Sequence, residues 1–217
     1  MKIYVRTTGE RDLKQFEFLS PIYLIDKEHK PVSSFIKQLK QISEEDALFL
    51  EDDIIFCENF LEEVNHAIEK YPDQIINFFY RPMAYFIPEK IKGEKFIYNQ
   101  CVFYPKGVAL KIANELETIL EGKEDIDMVF AKTYDQLQGK AMKNLKIDFI
   151  NYRPCLVQHI GGSKSLLGNT GYGNLRTIYF KDDLKGIDYS DQDKMHQYTI
   201  EKLDELGIPR LKIKILQ

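Results

Sequence analysis

Short apolar runs alternate with stretches whose apolar residues recur at helical spacing. The apolar runs predict strands, since most are rich in branched or aromatic residues and are too short for helices; they are KIYVRTT, PIYLID, ALFLEDD, QIINFFY, FIYNQCVFYPK and LKIDFINYRPCLVQHIGG, the last interrupted at Pro154. Of these runs, FIYNQCVFYPK predicts a strand pair or a bent strand. The helical spacing predicts helices at SSFIKQLKQI, which Ser33 or Ser34 can cap, and at NFLEEVNHAIEKYP, GVALKIANELETIL, EDIDMVFAKTYDQL and DQDKMHQYTIEKLDELG. Alternating elements of this kind predict an α/β fold, with a mostly parallel central sheet and helices on both faces.

Polar residues follow several of these predicted strands at the point where each strand ends. ALFLEDD is apolar on both faces, which is typical of a central strand, and it runs directly into Glu51, Asp52 and Asp53. Three adjacent carboxylates repel one another, so a divalent cation is expected among them. The alternative is that these acids charge the start of the following helix, where acids are favourable. The motif alone leaves both interpretations open.

A second candidate site lies in PCLVQHIGGSKSLLGN, residues 154 to 169. His159 ends an apolar strand and precedes Gly161, Gly162 and Ser163, whose backbone N–H groups could approach an anion. Imidazole together with carboxylates suits Mn²⁺ better than Ca²⁺. A structural histidine followed by a plain turn is the more common arrangement for such a pattern.

The third candidate is an acidic helix start, where Glu124, Asp125 and Asp127 precede Met128, Val129 and Phe130. The helix dipole accounts for acids in a first turn. A carboxylate with apolar neighbours is also expected to be partly desolvated and more basic. Asp127 is therefore a candidate general base.

Composition limits the other function classes. The 217 residues carry a formal net charge of −4, with 44% hydrophobic and 29% charged residues, which gives no global attraction to nucleic acid or anionic membrane. We expect a soluble, cytoplasmic protein, because no membrane span or signal sequence is recognisable. The three cysteines, Cys57, Cys101 and Cys155, are expected to be buried free thiols. Lysine and arginine are too scattered along the chain to predict a site.

Taken together, LEDDI at residues 50–54, IDMVF at 126–130 and PCLVQHIGGSKSLLG at 154–168 resemble the GT-A-fold glycosyltransferases, and more narrowly the N-acetylglucosaminyltransferase-IV-like group. The resemblance covers about residues 3 to 168. It implies a GT-A-like, Rossmann-like catalytic domain over 1–168, with 169–217 as a C-terminal loop and helical extension of the same domain.

The resemblance implies a metal-dependent, inverting transfer of a sugar from a nucleotide-diphosphate donor, most simply a UDP-sugar, to an acceptor hydroxyl. It assigns Asp53 and His159 to Mn²⁺ or Mg²⁺, Glu51 and Asp52 to the donor ribose and sugar, and Asp127 or Asp125 to proton removal. Fold analogy places three further residues against the nucleotide, namely Thr7, Thr8 and Asp26.

The lysine- and isoleucine-rich chain predicts a bacterial or phage enzyme whose acceptor is a glycan, a small molecule, a protein or modified DNA. Two other functions remain open. One is a noncatalytic nucleotide-sugar-binding module. The other is a metal-dependent nucleotidyl- or phosphotransferase, although that class normally gathers acids around two metal ions.

Overall fold

The computed structural model describes residues 1–80, 90–131, 133–160 and 177–205. Within these ranges the chain forms nine strands: β1 (Lys2–Thr7), β2 (Ile22–Ile25), β3 (Ala47–Glu51), β4 (Ile54–Phe56), β5 (Ile75–Asn77), β6 (Lys90–Ile91), β7 (Cys101–Tyr104), β8 (Phe149–Asn151) and β9 (Val157–His159). The helices of the same ranges are α1 (Pro31–Gln41), α2 (Phe60–Lys70), α3 (Val108–Leu120), α4 (Ile126–Val129), α5 (Tyr134–Leu145) and α6 (Gln192–Glu205). Short 3₁₀ helices lie at Lys14–Leu19, Gly93–Lys95 and Lys181–Leu184.

Seven strands form the central sheet, in the order β2-β1-β3-β7-β5-β8-β6. The pairs β1–β2, β1–β3 and β5–β8 are parallel, and the pairs β3–β7, β5–β7 and β6–β8 are antiparallel. Five strands therefore point in one direction and two, β6 and β7, point in the other. The prediction of a mixed, mostly parallel α/β sheet is confirmed at this level.

Helices cover both faces of the sheet because successive strand residues point to opposite sides. On one face, Phe49 and its neighbours pack against α1, α3 and α5. On the other face, Leu48 and Leu50 pack against α2 and the 3₁₀ helix at Lys14–Leu19. These residues of β3 are fully buried, as the uniformly apolar run predicts, although β3 is parallel to β1 and antiparallel to β7.

The carboxyl ends of β1, β2 and β3 meet at one edge of the sheet. After β2 the chain continues through α1 and crosses β1 before it forms β3. In the sheet, β1 therefore lies between β2 and β3, the two strands that follow it in the sequence. Ligands in open α/β sheets bind at such carboxyl ends, beside the strand where the order reverses. A separate antiparallel pair, β4 with β9, extends from this edge and places Ile54 opposite His159.

Three local predictions are wrong. EDIDMVFAKTYDQL does not form one helix: α4 ends at Val129, and α5 begins at Tyr134 and continues to Leu145. FIYNQCVFYPK contributes the single strand β7 rather than a strand pair or a bent strand. Finally, α1 begins at Pro31, so the serines expected to cap it lie inside its first turn.

The remaining sequence predictions divide into those confirmed and those outside the described ranges. Cys57, Cys101 and Cys155 are buried and free, as predicted. Within the described ranges, no helix has both the length and the apolar character that a membrane crossing requires. The glycine-rich loop GNTGYGN and the segment from Gly161 to Gly168 fall outside the described residues, and the division of the chain at residue 168 stays a prediction.

Candidate functional site

A cleft of about 240 Å³ opens at the carboxyl ends of β1, β2 and β3. Six of the residues lining it are those proposed from the sequence to bind the nucleotide or the metal: Thr7, Thr8, Asp26, Glu51, Asp52 and Asp53. The sequence analysis did not select the other lining residues, which are Arg6, Arg11, His29, Pro31 and Tyr134. The cleft is therefore assembled from the ends of three neighbouring strands and from the start of α1.

Hydrogen bonds from the end of β1 connect the three strand ends. The buried Thr7 hydroxyl donates to Oδ2 of Asp52 at 2.6 Å and accepts the backbone N–H of Gly9 at 2.9 Å. The carbonyl of Thr7 accepts the N–H of Asp26 at 2.8 Å, and Oδ1 of Asp26 accepts the N–H of Lys30 at 3.2 Å. Burial raises the pKa of Asp52, with the Thr7 hydrogen bond opposing that effect.

Glu51 lies at the inner wall of the cleft. Its carboxylate accepts a hydrogen bond from the Tyr134 hydroxyl and another from the Gln100 amide at 3.3 Å. Burial, together with the nearby charge of Asp53, raises the pKa of Glu51 to about 7. Arg6 lies 4.8 Å from the ring centre of Tyr134 and donates to the carbonyl of Pro31 at 2.7 Å, so it joins this wall to the start of α1.

Asp53 and His159 are in direct contact, although they are far apart in sequence. Nε2 of His159 lies 3.1 Å from Oδ2 of Asp53, and the N–H of Ile160 donates to the carbonyl of Asp53 at 2.8 Å. Burial opposes the charged form of each partner, but the pairing outweighs it, lowering the pKa of Asp53 and raising that of His159. The pairing of β4 with β9 produces this contact, because Asp53 directly precedes β4 and His159 ends β9.

Several polar atoms at this edge are buried but lack a hydrogen-bond partner among the described residues. They are Oδ1 of Asp53, Nδ1 of His159 and Oγ1 of Thr8. A buried carboxylate oxygen without a donor is costly unless a ligand, an ion or water satisfies it. One carboxylate and one imidazole form a donor set that suits Mn²⁺ and related ions, so the residues present fit such an ion. Within the described ranges, no three His, Cys, Asp or Glu side chains are grouped so that together they could hold a metal ion.

Arg11 supplies a positive charge to the acidic triplet. Its Nε lies 3.3 Å from Oδ1 of Asp52, and its Nη2 lies 3.9 Å from Oδ2 of Asp53. The cation expected beside the three acids is thus partly provided by the protein itself. Sequence reasoning missed Arg11 because it lies in an irregular loop after β1, where no periodic pattern marks it; its closeness to a strand end was the available signal.

The two candidate bases do not line the cleft. Oδ1 of Asp127 accepts the N–H groups of Val32 and Ser33, each at 2.8 Å, and Oδ2 accepts the Ser33 hydroxyl. Asp127 therefore caps the N-terminus of α1 from a position 94 residues away from Ser33. Asp125 is exposed. Met128 and Val129 are also exposed, at 75% and 59%, so they do not desolvate the Asp127 carboxylate as expected from the sequence.

One alternative interpretation of the acidic triplet is wrong. The acids do not begin the following helix, because β4 separates them from α2, which starts at Phe60. Glu51 instead ends β3, Asp52 and Asp53 form the turn to β4, and all three acids line the cleft.

Comparison with known proteins does not identify a family. No protein-family model matches the chain, and no curated protein matches it significantly. Solved structures that are similar include A197 from STIV, with 11% sequence identity and a TM-score of 0.38, over 73% of this chain and 85% of that one.

Proposed function

We propose that this protein is a metal-dependent, inverting glycosyltransferase of GT-A type that moves a sugar from a nucleotide-diphosphate donor to an acceptor hydroxyl. The observation that carries the proposal is the 3.1 Å contact between Asp53 and His159, at the rim of a cleft built from three strand ends. These two residues, 106 positions apart in the sequence, are the pair that the resemblance assigns to the metal ion.

The donor would occupy the cleft and the groove next to it. A groove of about 790 Å³ between β2 and α1 shares Asp26 with the cleft, and ligand sites of drug size typically span about 300–1,000 Å³. Thr7, Thr8 and Asp26 would contact the nucleotide, and Glu51 and Asp52 the ribose and sugar. The Thr7 hydrogen bond to Asp52 and the Tyr134 hydrogen bond to Glu51 hold these carboxylates in defined orientations.

Asp53 and His159 would hold Mn²⁺ or Mg²⁺ through atoms that include the unpartnered Oδ1 of Asp53. When bound, the ion supplies positive charge that stabilises the charge developing on the departing diphosphate. Asp127 remains the proposed base for the acceptor hydroxyl, with Asp125 as the rival. Asp127 accepts hydrogen bonds from Val32 and Ser33, which follow Pro31 in the wall of the cleft. To remove the proton of the acceptor hydroxyl, its carboxylate would have to give up one of these capping hydrogen bonds.

A thermal-shift screen tests the binding half of the proposal. UDP-, GDP-, CMP- and TDP-sugars are compared with and without Mn²⁺, and a donor at 100 times its Kd is expected to stabilise the fold by about 2.7 kcal/mol. The matched variants are Asp53→Asn, which should lose the shift, and Asp73→Asn, which should keep it. Asp73 is exposed and precedes β5 at the opposite edge of the sheet. If no donor stabilises the wild type in the presence of Mn²⁺, the proposal fails.

The position of the candidate bases favours a second function, a noncatalytic nucleotide-sugar-binding module. Neither Asp127 nor Asp125 lines the cleft, and a protein that only binds a donor needs no base. Donor hydrolysis separates the two functions: slow release of nucleoside diphosphate without an acceptor supports the transferase. Tight donor binding with no release, and no transfer in an acceptor screen, supports the binding module.

A further inference from the structure

The guanidinium of Arg11 lies beside two acids of the triplet, and one of them, Asp53, is a proposed ligand of the metal ion. It lies against Oδ1 of Asp52 and Oδ2 of Asp53, and the second of these oxygens also contacts His159. The Arg11 side chain is 18% exposed, and those of Asp52 and Asp53 are 10% and 19% exposed. The ion pairs are therefore partly shielded from water, where the attraction between opposite charges is stronger than at an open surface.

A guanidinium beside Asp53 and a divalent ion bound by the same carboxylate compete for its negative charge. Two cations that share one carboxylate repel each other, and an incoming ion must therefore displace Arg11 or bind weakly beside it. Arg11 belongs to the irregular segment between Thr7 and Lys14, so displacing it does not require a strand or a helix to move.

Once displaced, Arg11 has a natural acceptor in the donor. Guanidinium groups bind phosphate oxygens through paired N–H donors, and the diphosphate lies beside the metal ion in the proposed function. We propose that Arg11 is a positioning residue that neutralises Asp52 and Asp53 in the ligand-free protein, competes there with the metal ion, and moves to the diphosphate when metal and donor bind. This inference rests on the proposed function for its second half only.

The competition is measured with Mn²⁺ alone, by electron paramagnetic resonance titration of the metal-free full-length chain. Arg11→Gln is expected to bind Mn²⁺ about tenfold more tightly than the wild type, equal to about 1.4 kcal/mol. A purely structural role for Arg11 would not tighten metal binding. Lys14→Gln is the matched control, since Lys14 follows closely in sequence, is 82% exposed and loses the same charge; its affinity for Mn²⁺ should equal that of the wild type.

Arg11→Lys keeps the proposal testable if Arg11→Gln does not fold, as judged by circular dichroism. Lysine keeps the charge but lacks the fork that reaches both carboxylates, so its Mn²⁺ affinity is expected to rise about threefold. Unchanged or weaker Mn²⁺ binding in both folded variants overturns the proposal, as does the absence of Mn²⁺ binding in all of them.

The donor screen separates this inference from the proposed function. If Arg11→Gln tightens Mn²⁺ binding but no nucleotide-sugar stabilises the wild type, the competition stands and the glycosyltransferase assignment fails. If donors stabilise the wild type but Arg11→Gln leaves the Mn²⁺ affinity unchanged, the competition fails and the assignment stands.

Discussion

The acids at the end of β3 and the acids around α4 look alike in sequence but have different surroundings in the fold. Glu51, Asp52 and Asp53 face a cleft, where burial raises the pKa of the first two and one oxygen of the third has no partner among the described residues. Asp127 lies beside exposed Met128 and Val129, and both of its oxygens accept hydrogen bonds from the start of α1.

The difference lies in the element that each group follows. A buried strand delivers its last residues to the sheet edge, where neighbouring strands also end, so their side chains converge and lose water together. A short surface helix presents its acids to solvent or to whichever helix end lies nearby, and a helix N-terminus is a favourable partner for a carboxylate. Clustered acids therefore predict a site more securely after a strand than at the start of a helix.

The largest expected effect comes from substituting one acid of each group and comparing donor binding. Asp53→Asn should weaken metal-dependent donor binding by about 1,000-fold, or about 4 kcal/mol, because it removes the charged group proposed to bind the ion. Asp127→Asn should leave donor affinity within about threefold of the wild type, because the amide oxygen can still cap α1. Isothermal titration with and without Mn²⁺ measures both constants.

Turnover of the same variants decides whether Asp127 has a second role. A general base cannot be replaced by an amide, so Asp127→Asn should abolish transfer while binding persists. Normal transfer by this variant would remove Asp127 as the base and leave the helix cap as its role. Normal transfer by both variants would eliminate the proposed mechanism.

A smaller effect is expected from the ionisation of Glu51, which changes the stability of the fold with pH. Its pKa is raised from 4.5 to about 7 in the folded protein, so between these values the folded state holds a proton that the unfolded state has lost. Stability therefore falls as the pH rises through this range, by up to about 3 kcal/mol. Glu51→Gln cannot titrate, and its free energy of unfolding should fall less between pH 5 and pH 8 than that of the wild type. Urea unfolding in the presence of a chelator measures this.

The exposed Glu44 offers the matched control. Glu44→Gln should reproduce the wild-type dependence on pH, including the part contributed by His159. The pKa of His159 is raised in the folded protein, so the stability that its pairing with Asp53 provides is complete below about pH 6.5 and is lost at higher pH. This loss is expected in the wild type and in both variants. If Glu51→Gln and the wild type lost equal stability between pH 5 and pH 8, Glu51 would not be the desolvated acid of the cleft.

The cleft could be located from the sequence because the residues that mark it lie within short stretches of the chain. An apolar run that ends in acids identifies β3, and the rule that parallel strand ends converge brings Asp26 and Asp53 together, whereas Thr7 was assigned by fold analogy. The same reasoning could not locate Arg11 or Tyr134, since their contacts with the acids depend on how a loop and α5 pack against the sheet. Local pattern left His159 open between a structural residue and a metal ligand, and only the resemblance paired it with Asp53.

The fold shows the same limit. Periodicity predicted most strands and helices, because burial on one or two faces leaves a pattern in the residues themselves. It did not predict β4, a three-residue strand whose partner β9 begins 101 positions after β4 ends. It also assigned the cap of α1 to its own serines, whereas the capping carboxylate belongs to Asp127 on α4.

The smallest expected effect tests that cap directly. Asp127→Ala removes the acceptor of two backbone N–H groups and of the Ser33 hydroxyl, and loss of a helix cap costs about 1–2 kcal/mol. The free energy of unfolding in urea should fall by this amount, and Asp127→Asn should recover about half of it, because the amide keeps one oxygen acceptor. Glu124→Ala, at an exposed position three residues earlier, should change stability by less than about 0.5 kcal/mol. Equal stability of Asp127→Ala and the wild type would mean that the carboxylate does not stabilise α1. The different surroundings of the acids after β3 and the acids around α4 would then have to be explained by chemistry at Asp127 rather than by its hydrogen bonds.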